Sequence, residues 1–181
     1  MNTIYTIGHS TRSYEELLAM LRSFNIEVLA DVRHYPGSAR YPHFNKEALE
    51  KALPVEGIEY IHFKGLGGRR KAHKDSHNNA WRSEAFKGYA DYMETPAFSE
   101  NIDALVKLAA QKKTAYMCSE AVWWRCHRAL VSDYLKVTGR TVLHIMAVGK
   151  ADEHPYTGAA TITNGKLVYQ KTDPPQTGLL F

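Results

Sequence analysis

The pattern of apolar and polar positions predicts five β-strands separated by helices. Short runs rich in β-branched and aromatic residues are typical of strands. They occupy residues 3–9, 26–32, 58–63, 114–118 and 141–146. Apolar residues that recur every three or four positions predict amphipathic helices between them. These helices span residues 13–24, 45–53, 83–94 and 97–111, and a fifth runs from just after Cys118 to about Val137.

Helix ends are indicated by residues that cap or interrupt helices. Ser13 precedes the first helix and Glu16 follows three positions later, which is the spacing of a capping box. Asn45 is the expected N-cap of the second helix. Pro54 is expected to end that helix, because proline has no N–H to donate and its ring clashes with the preceding turn.

Alternating strands and helices predict an α/β fold with a mainly parallel sheet of about five strands, flanked by helices. Asn164 and Gly165 separate two alternating runs within residues 160–170, which predicts a C-terminal β-hairpin. The chain has 181 residues and 44% hydrophobic content, enough for one domain with a substantial core. We therefore expect a single domain over residues 1–181, with residues 156–172 as its hairpin tail.

The sequence indicates a cytoplasmic protein with no membrane partner. No apolar run approaches the ~20 residues that a membrane span needs. The N-terminus, MNTIYTIGHS, lacks the basic and apolar regions of a signal peptide. The chain contains only two cysteines, and in a reducing compartment both are expected to be free thiols.

Polar residues concentrate after the predicted strands. In a parallel sheet with flanking helices, ligands bind beyond the carboxyl ends of the strands, so these loops are expected to converge on a functional site. The segments are GHSTR, DVRHYPGSARYPHF, KGLGGRR and CSEAVWWRCHR. The net charge of +4 allows an anionic small molecule or a nucleic acid as partner. The basic segment KGLGGRRKAHK contributes to that charge, either as a solvated loop or as an anion site.

The cysteine segment contains the candidates for catalysis. Cys118 closes a predicted strand before a predicted helix, and a helix N-terminus lowers the pKa of a thiol and attracts anions. Glu120 and His127 are candidates for proton transfer beside it. Alternatively, Cys118 is a small buried apolar residue. Cys126 shares a helical face with Leu130 and is expected to pack behind Cys118.

The same segment has the residue types of a metal site. Cys118, Glu120, Cys126 and His127 supply atoms that zinc accepts, but their spacing fits no standard zinc finger. A metal is therefore allowed but not favoured, and nothing in the sequence indicates another cofactor or an oligomeric state.

Further candidates follow the first two strands. Asp31 is a candidate base, or a carboxylate that orients an arginine. Arg33 and Arg40 carry the planar fork that suits carboxylates and phosphates. His9 is a candidate acid or base beside Ser10, or a histidine that is hydrogen-bonded within its own loop.

The remaining candidates for substrate binding are glycines, tryptophans and one more arginine. Gly67 and Gly68 only loosely resemble a phosphate-binding loop, since neither standard glycine spacing is present. Trp123 and Trp124 suit the stacking of a nucleobase, although such residues are more often core or pocket lining. Arg128 is a further anion ligand.

Several motifs, in order along nearly the whole chain, closely resemble family 488 of the domains of unknown function. They are YTIGHST, LADVRHYPGSARYPHFN, LGGRR, WRSEAFKGYADYMETPAF and MCSEAVWWRCHR. The resemblance implies a cytosolic α/β domain whose motif loops gather at one end of the sheet, and it implies no reaction. The recurrent positions of that family correspond here to Gly8, His9, Ser10, Asp31, Arg33, Pro36, Arg40, Phe44, Leu66, Gly67, Gly68, Cys118, Glu120, Cys126, His127 and Arg128.

Three functions are compatible with these residues. The first is a cysteine- or metal-dependent enzyme of unspecified reaction that acts on an anionic, nucleotide-like substrate. The second is a nucleic-acid-binding module associated with DNA repair. The third is a non-catalytic protein, either metal-binding or with its arginines and carboxylates in a buried structural network. We favour the enzyme.

Overall fold

The structure, a computed structural model, describes residues 2–171. Its central sheet consists of β1 (Thr3–Gly8), β2 (Val28–Asp31), β3 (Glu59–His62), β4 (Thr114–Cys118), β5 (Thr141–Ala147) and β6 (Lys150–Glu153). The strand order is β3-β2-β4-β1-β5-β6. Strands β1 to β5 are parallel, and β6 pairs with β5 in the antiparallel direction. The predicted α/β fold with a mainly parallel sheet is confirmed, and β6 is added to the five predicted strands.

Helices cover both faces of this sheet. They are α1 (Tyr14–Ser23), α2 (Lys46–Val55), α3 (Glu84–Met93), α4 (Pro96–Gln111) and α5 (Arg128–Val137). One apolar core lies between the sheet and α1 and α2, and the other lies between the sheet and α3, α4 and α5. Strand side chains alternate between the two cores, as Ile7 and Ile4 of β1 do. No helix within residues 2–171 combines the length and apolar character that crossing a membrane requires.

The ends of the first two helices can be compared with the predicted capping residues. Ser13 forms the expected capping box with Glu16 at the start of α1. Asn45 occupies the N-cap of α2, but its side chain accepts a hydrogen bond from the backbone N–H of Ser38 instead of capping the helix. The predicted end at Pro54 is wrong, because α2 continues to Val55. Only the last turn is affected, so the missing N–H removes one hydrogen bond and does not break the helix.

The helix predicted to follow Cys118 directly is also wrong. Residues 119–122 form a loop, a short 3-10 helix spans Trp123–Arg125, and α5 begins only at Arg128. The N-terminus of α5 therefore lies beside Cys126 and His127 in the chain, and not beside Cys118.

The predicted C-terminal hairpin is confirmed as β7 (Thr161–Thr163) paired with β8 (Lys166–Val168). Asn164 and Gly165 have φ angles of 51° and 73°, the left-handed conformation that a tight two-residue hairpin turn requires. Residue 172 of the predicted tail lies outside the described residues, as do residues 1 and 173–181 of the predicted domain.

Gly8 ends β1 at a point where no side chain fits. A Cβ atom at this position would overlap the backbone carbonyl of Glu120, and it would lie 2.8 Å from Nη2 of Arg128. We expect Gly8→Ala to lower the free energy of unfolding by about 3 kcal/mol, because backbone and a buried arginine must both shift. Urea denaturation measures this loss. Gly37→Ala is the matched control, since a Cβ on Gly37 meets no atom within 4 Å; equal losses in both variants would contradict the prediction.

Candidate functional site

A cavity of about 740 Å³ opens at the carboxyl ends of β1, β2 and β4. We call it the site pocket. The loops that follow β1, β2 and β4 line it, together with residues 68–69 after β3 and one side of α3. These are the loops in which the polar residues concentrate, so the expected convergence at this edge of the sheet occurs. Its lining consists of His9, Ser10, Thr11, Arg33, His34, Tyr35, Gly37, Ser38, Tyr41, Gly68, Arg69, Ala85, Phe86, Tyr89, Cys118, Ser119, Glu120, Ala121, Val122, Arg125, Cys126 and His127.

The structure brings some of the candidate residues to the site pocket and places others elsewhere. The candidates on its wall are His9, Ser10, Arg33, Gly68, Cys118, Glu120 and His127. The candidates outside its lining are Asp31, Arg40, Gly67, Trp123, Trp124 and Arg128.

Asp31 lies behind the pocket wall and holds Arg33 in place. Its carboxylate is fully buried and accepts hydrogen bonds from Arg33 Nη2 at 2.5 Å, Nε at 2.9 Å and the Arg33 backbone N–H at 3.0 Å. The Tyr60 hydroxyl donates to the same carboxylate at 2.6 Å. Arg33 Nη2 also donates to the Phe44 carbonyl. Much of the donor capacity of Arg33 is therefore used within the protein, and the pair stabilises the loop that follows β2.

His9 completes this network from the end of β1. Its Nδ1 lies 2.9 Å from the Ser10 carbonyl, which can only accept, so Nδ1 carries the proton. Its Nε2 then accepts a hydrogen bond from Arg33 Nη1 at 3.2 Å. Burial, followed by the positive charge of Arg33, lowers the pKa of His9 to about 4. His9 is thus neutral at pH 7, and its Nε2 lone pair is bound to Arg33.

His9 makes the stability of the protein depend on pH. The pKa of His9 is about 4 in the folded chain, against 6.5 without the fold, so its contribution is complete above pH 6.5 and is lost as the pH falls toward 4. The loss at pH 4 is about 3 kcal/mol. We expect His9→Gln, whose amide oxygen can still accept from Arg33, to reduce the fall in unfolding free energy between pH 7 and pH 4 by that amount. Urea denaturation at both pH values tests this, and parallel losses in the two proteins would refute it.

Cys118, Cys126 and His127 form a cluster on the floor of the site pocket. His127 Nδ1 lies 3.6 Å from Cys126 Sγ and 4.0 Å from Cys118 Sγ. The three atoms all lie within 4.8 Å of one another, and both thiols are free. Cys118 ends β4, Cys126 follows the 3-10 helix, and His127 is the N-cap of α5. Cys126 was expected to lie on the core-facing side of a helix that begins just after Cys118. Because α5 begins only at Arg128, Cys126 precedes the helix and lines the site pocket.

The pKa values of the two thiols are shifted in opposite directions. The hydrogen bond to Cys126, together with burial, raises the pKa of Cys118 to about 12. Burial alone would raise the pKa of Cys126 as well. Hydrogen bonds from Cys118 and Arg128 and the charge of Arg128 outweigh burial, and they lower the pKa of Cys126 to about 7. The surroundings of Cys126 therefore favour a thiolate at this residue, whereas the sequence pointed to Cys118.

Arg128 is a buried structural arginine. It is 1% exposed, and it donates to the Thr6 hydroxyl at 2.9 Å and to the Glu120 carbonyl at 2.5 Å. These bonds connect α5 to β1 and to the loop after β4. Arg128 thus positions the loop that carries Glu120, and it does so from beneath the site pocket.

The other candidates outside the pocket lining have different surroundings. Trp123 stacks on His144 with ring centroids 4.6 Å apart, and Trp124 is half exposed. Arg40 is exposed and lies over the ring of Tyr41. Gly67 is buried against the backbone of His34.

Several residues of the pocket lie outside the set of candidate site residues named from the sequence. Arg69 and Arg125 add positive charge to the wall, and Tyr35, Phe86 and Tyr89 add aromatic rings. Arg125 lies in one of the loops that follow the predicted strands, so the expectation that ligands bind beyond the carboxyl ends of the strands already included its segment. Phe86 and Tyr89 lie on α3, and only the packing of this helix across the sheet edge brings them to the pocket.

The fold and this pocket define an α/β protein with a thiol–imidazole cluster at the carboxyl edge of a parallel sheet. The chain belongs to the family described as Domain of unknown function DUF488, whose model matches residues 13–135. This match confirms the resemblance seen in the motifs. Comparisons with curated proteins and with solved structures gave no match.

Proposed function

We propose that the protein is a cytosolic enzyme that acts on a small anionic substrate bound in the site pocket. One observation carries this proposal: two sulfurs and one imidazole nitrogen converge within 4.8 Å on the floor of a cavity that is large enough for a nucleotide. Reactive side chains in a concave, partly apolar cavity are the usual arrangement of an enzyme site. The cluster is the reactive centre, and Glu120 on the same wall is the group we assign to proton transfer.

The charge of the wall favours an anion. Arg33, Arg69 and Arg125 line the pocket, and Glu120 is the carboxylate among the lining residues. Asp31 neutralises Arg33 from behind. Arg69 and Arg125 are exposed, so their guanidinium groups are available to a carboxylate or a phosphate.

Aromatic rings on the same wall extend the proposal to a nucleotide-like substrate. Tyr35 is 64% exposed, and Arg69 lies over its ring at 5.5 Å. Phe86 lines the pocket from α3 and is partly exposed, whereas the Tyr89 ring is buried and packs on His127. A base that stacks on such rings would place its phosphate near the arginines.

The basic segment 64–74 supports nucleic-acid binding less well. Arg70 is already engaged, because it donates to the carbonyls of Gly65 and Gly67 and stacks on Tyr92 at 3.6 Å. The exposed lysines of this segment are Lys64, Lys71 and Lys74, and none of them lines the site pocket.

Thermal denaturation of the metal-stripped protein with phosphate, pyrophosphate, AMP and a short single-stranded DNA tests the proposal. We expect one of the small anions to raise the melting temperature and to slow the alkylation of Cys126 by iodoacetamide. The double variant Arg69→Gln/Arg125→Gln should lose both effects. Arg140→Gln should keep them, since Arg140 precedes β5 at the opposite edge of the sheet.

Two results would overturn the proposal. One is a melting temperature that only the DNA raises, which would favour the nucleic-acid-binding alternative. The other is anion binding that leaves the alkylation rate unchanged, since the anion would then lie away from the cysteine cluster.

A further inference from the structure

We infer that Cys118, Cys126 and His127 bind one zinc ion, with the fourth coordination position open to the site pocket. This inference rests on the proposed function, because it identifies the reactive centre of the same pocket. It differs from the expectation drawn from the sequence, in which the spacing of the cysteines did not favour a metal.

The distances between the three donor atoms are close to those of tetrahedral zinc. Zinc–sulfur bonds of about 2.3 Å and zinc–nitrogen bonds of about 2.0 Å place sulfur and nitrogen about 3.5 Å apart and two sulfurs about 3.8 Å apart. The observed separations from His127 Nδ1 are 3.6 Å to Cys126 Sγ and 4.0 Å to Cys118 Sγ. The two sulfurs lie within 4.8 Å of each other. Side-chain shifts of a few tenths of an ångström up to about one ångström would complete the coordination.

The second nitrogen of His127 is oriented as in a metal-bound histidine. His127 Nε2 lies 3.0 Å from the Val32 carbonyl, which can only accept a hydrogen bond. The proton is therefore on Nε2, and the lone pair of Nδ1 faces the two sulfurs. A backbone carbonyl that fixes the tautomer of the ligand is the usual second contact of a zinc-bound histidine. The ring also packs on Tyr89, with centroids 5.0 Å apart.

Space for the ion is kept open beside Nδ1. Gly68 lies against the His127 ring, and a Cβ on Gly68 would come within 3.0 Å of Nδ1. A larger residue at this position would crowd the ligand atom. The glycine is therefore explained by the space beside the cluster, and not by a left-handed backbone, since its φ is not positive.

Three protein ligands define a catalytic type of zinc site. Structural zinc is normally closed by four protein ligands, whereas catalytic zinc has three and holds water or substrate at the fourth position. Within residues 2–171, the ligand group consists of these three residues, and all three line the site pocket. Two thiolates and an imidazole select a borderline-soft ion such as zinc over magnesium or calcium. Zinc at this position would lower the pKa of a bound water or polarise an oxygen of the anionic substrate.

Titration of the full-length, metal-stripped protein with Co²⁺ tests the site, because Co²⁺ takes zinc positions and is coloured. We expect one equivalent to bind per chain, with sulfur-to-cobalt charge-transfer absorption and the d–d bands of tetrahedral cobalt. One equivalent of Zn²⁺ should remove both signals. The variants Cys118→Ser, Cys126→Ser and His127→Gln should each bind Co²⁺ about 100-fold more weakly or worse.

His73→Gln is the control for adventitious binding, since His73 is an exposed histidine outside the cluster. It should bind Co²⁺ as the wild type does. Circular dichroism of each variant separates loss of the metal site from loss of the fold. The cobalt absorption spectrum of the wild type tests the inference even if a variant unfolds. Absence of the charge-transfer band in the wild type, or its persistence in the double variant Cys118→Ser/Cys126→Ser, would overturn the inference. Anion binding by the metal-free protein is measured separately, so the proposed function can survive that result.

Discussion

Replacing Asp31 by alanine should lower the free energy of unfolding by about 4 kcal/mol. Asp31 is fully buried, and Arg33, to which it binds through three nitrogens, is only 6% exposed. Removing the carboxylate leaves a charged guanidinium without its counter-ion and without access to water. The Tyr60 hydroxyl loses its acceptor in the same step. Urea denaturation at pH 7 measures the loss.

A double-mutant cycle separates the ion pair from other effects of the substitution. Arg33→Met alone leaves the Asp31 carboxylate buried and unpaired, so it should also be strongly destabilising. The double variant Asp31→Ala/Arg33→Met leaves neither charge, and it should lose clearly less than the sum of the two single losses. Asp103→Ala on the exposed side of α4 is the surface control and should change stability by less than about 0.5 kcal/mol. Additive losses in the cycle would contradict the prediction.

Strands and helices with a strong periodic pattern of apolar residues could be predicted from the sequence. Elements that form only by pairing with a distant segment of the chain could not. The inner strands β2 and β4 are buried along their whole length because the sheet is covered on both faces, and their apolar runs could be recognised in the sequence. Strand β6, with the sequence KADE, has no such pattern. It forms because its backbone pairs with β5 at the sheet edge, where charged side chains remain in water. Nothing within β6 itself indicates that pairing.

In the candidate site, too, some features could be predicted from the sequence and others depended on contacts between distant residues. Its location was predicted because ligands bind beyond the carboxyl ends of parallel strands, and the loops after β1, β2 and β4 do meet there. The choice between Cys118 and Cys126 as the thiolate depended on where α5 begins. The segment VWWRC contains no glycine or proline, so the sequence offered no signal for a late helix start. Arg128 was expected at the ligand for a related reason: its hydrogen bond to Thr6 joins residues 122 positions apart in the sequence, and no local pattern indicates that contact.

A second buried carboxylate, Asp133 on α5, holds the C-terminal part of the described chain. We expect Asp133→Ala to cost about 4 kcal/mol, because four donors lose their acceptor. They are His154 Nε2 at 3.0 Å, the Thr157 backbone N–H at 2.9 Å, the Thr157 hydroxyl at 2.6 Å and the Tyr169 hydroxyl at 2.8 Å. Asp133 and His154 are fully buried and Tyr169 is 3% exposed, so water cannot replace the lost bonds without opening the core.

The effect of this substitution should be unevenly distributed. Thr157 and Tyr169 flank the hairpin β7–β8, so the hairpin should lose its attachment to α5 while the parallel strands remain paired. Hydrogen exchange tests this: protection should fall at β7 and β8 in Asp133→Ala and remain high in β1 and β4. Asp152→Ala is the control, since Asp152 lies exposed on the edge strand β6. Uniform loss of protection would show that Asp133 stabilises the whole domain equally, because the hairpin and the sheet would then unfold as one unit.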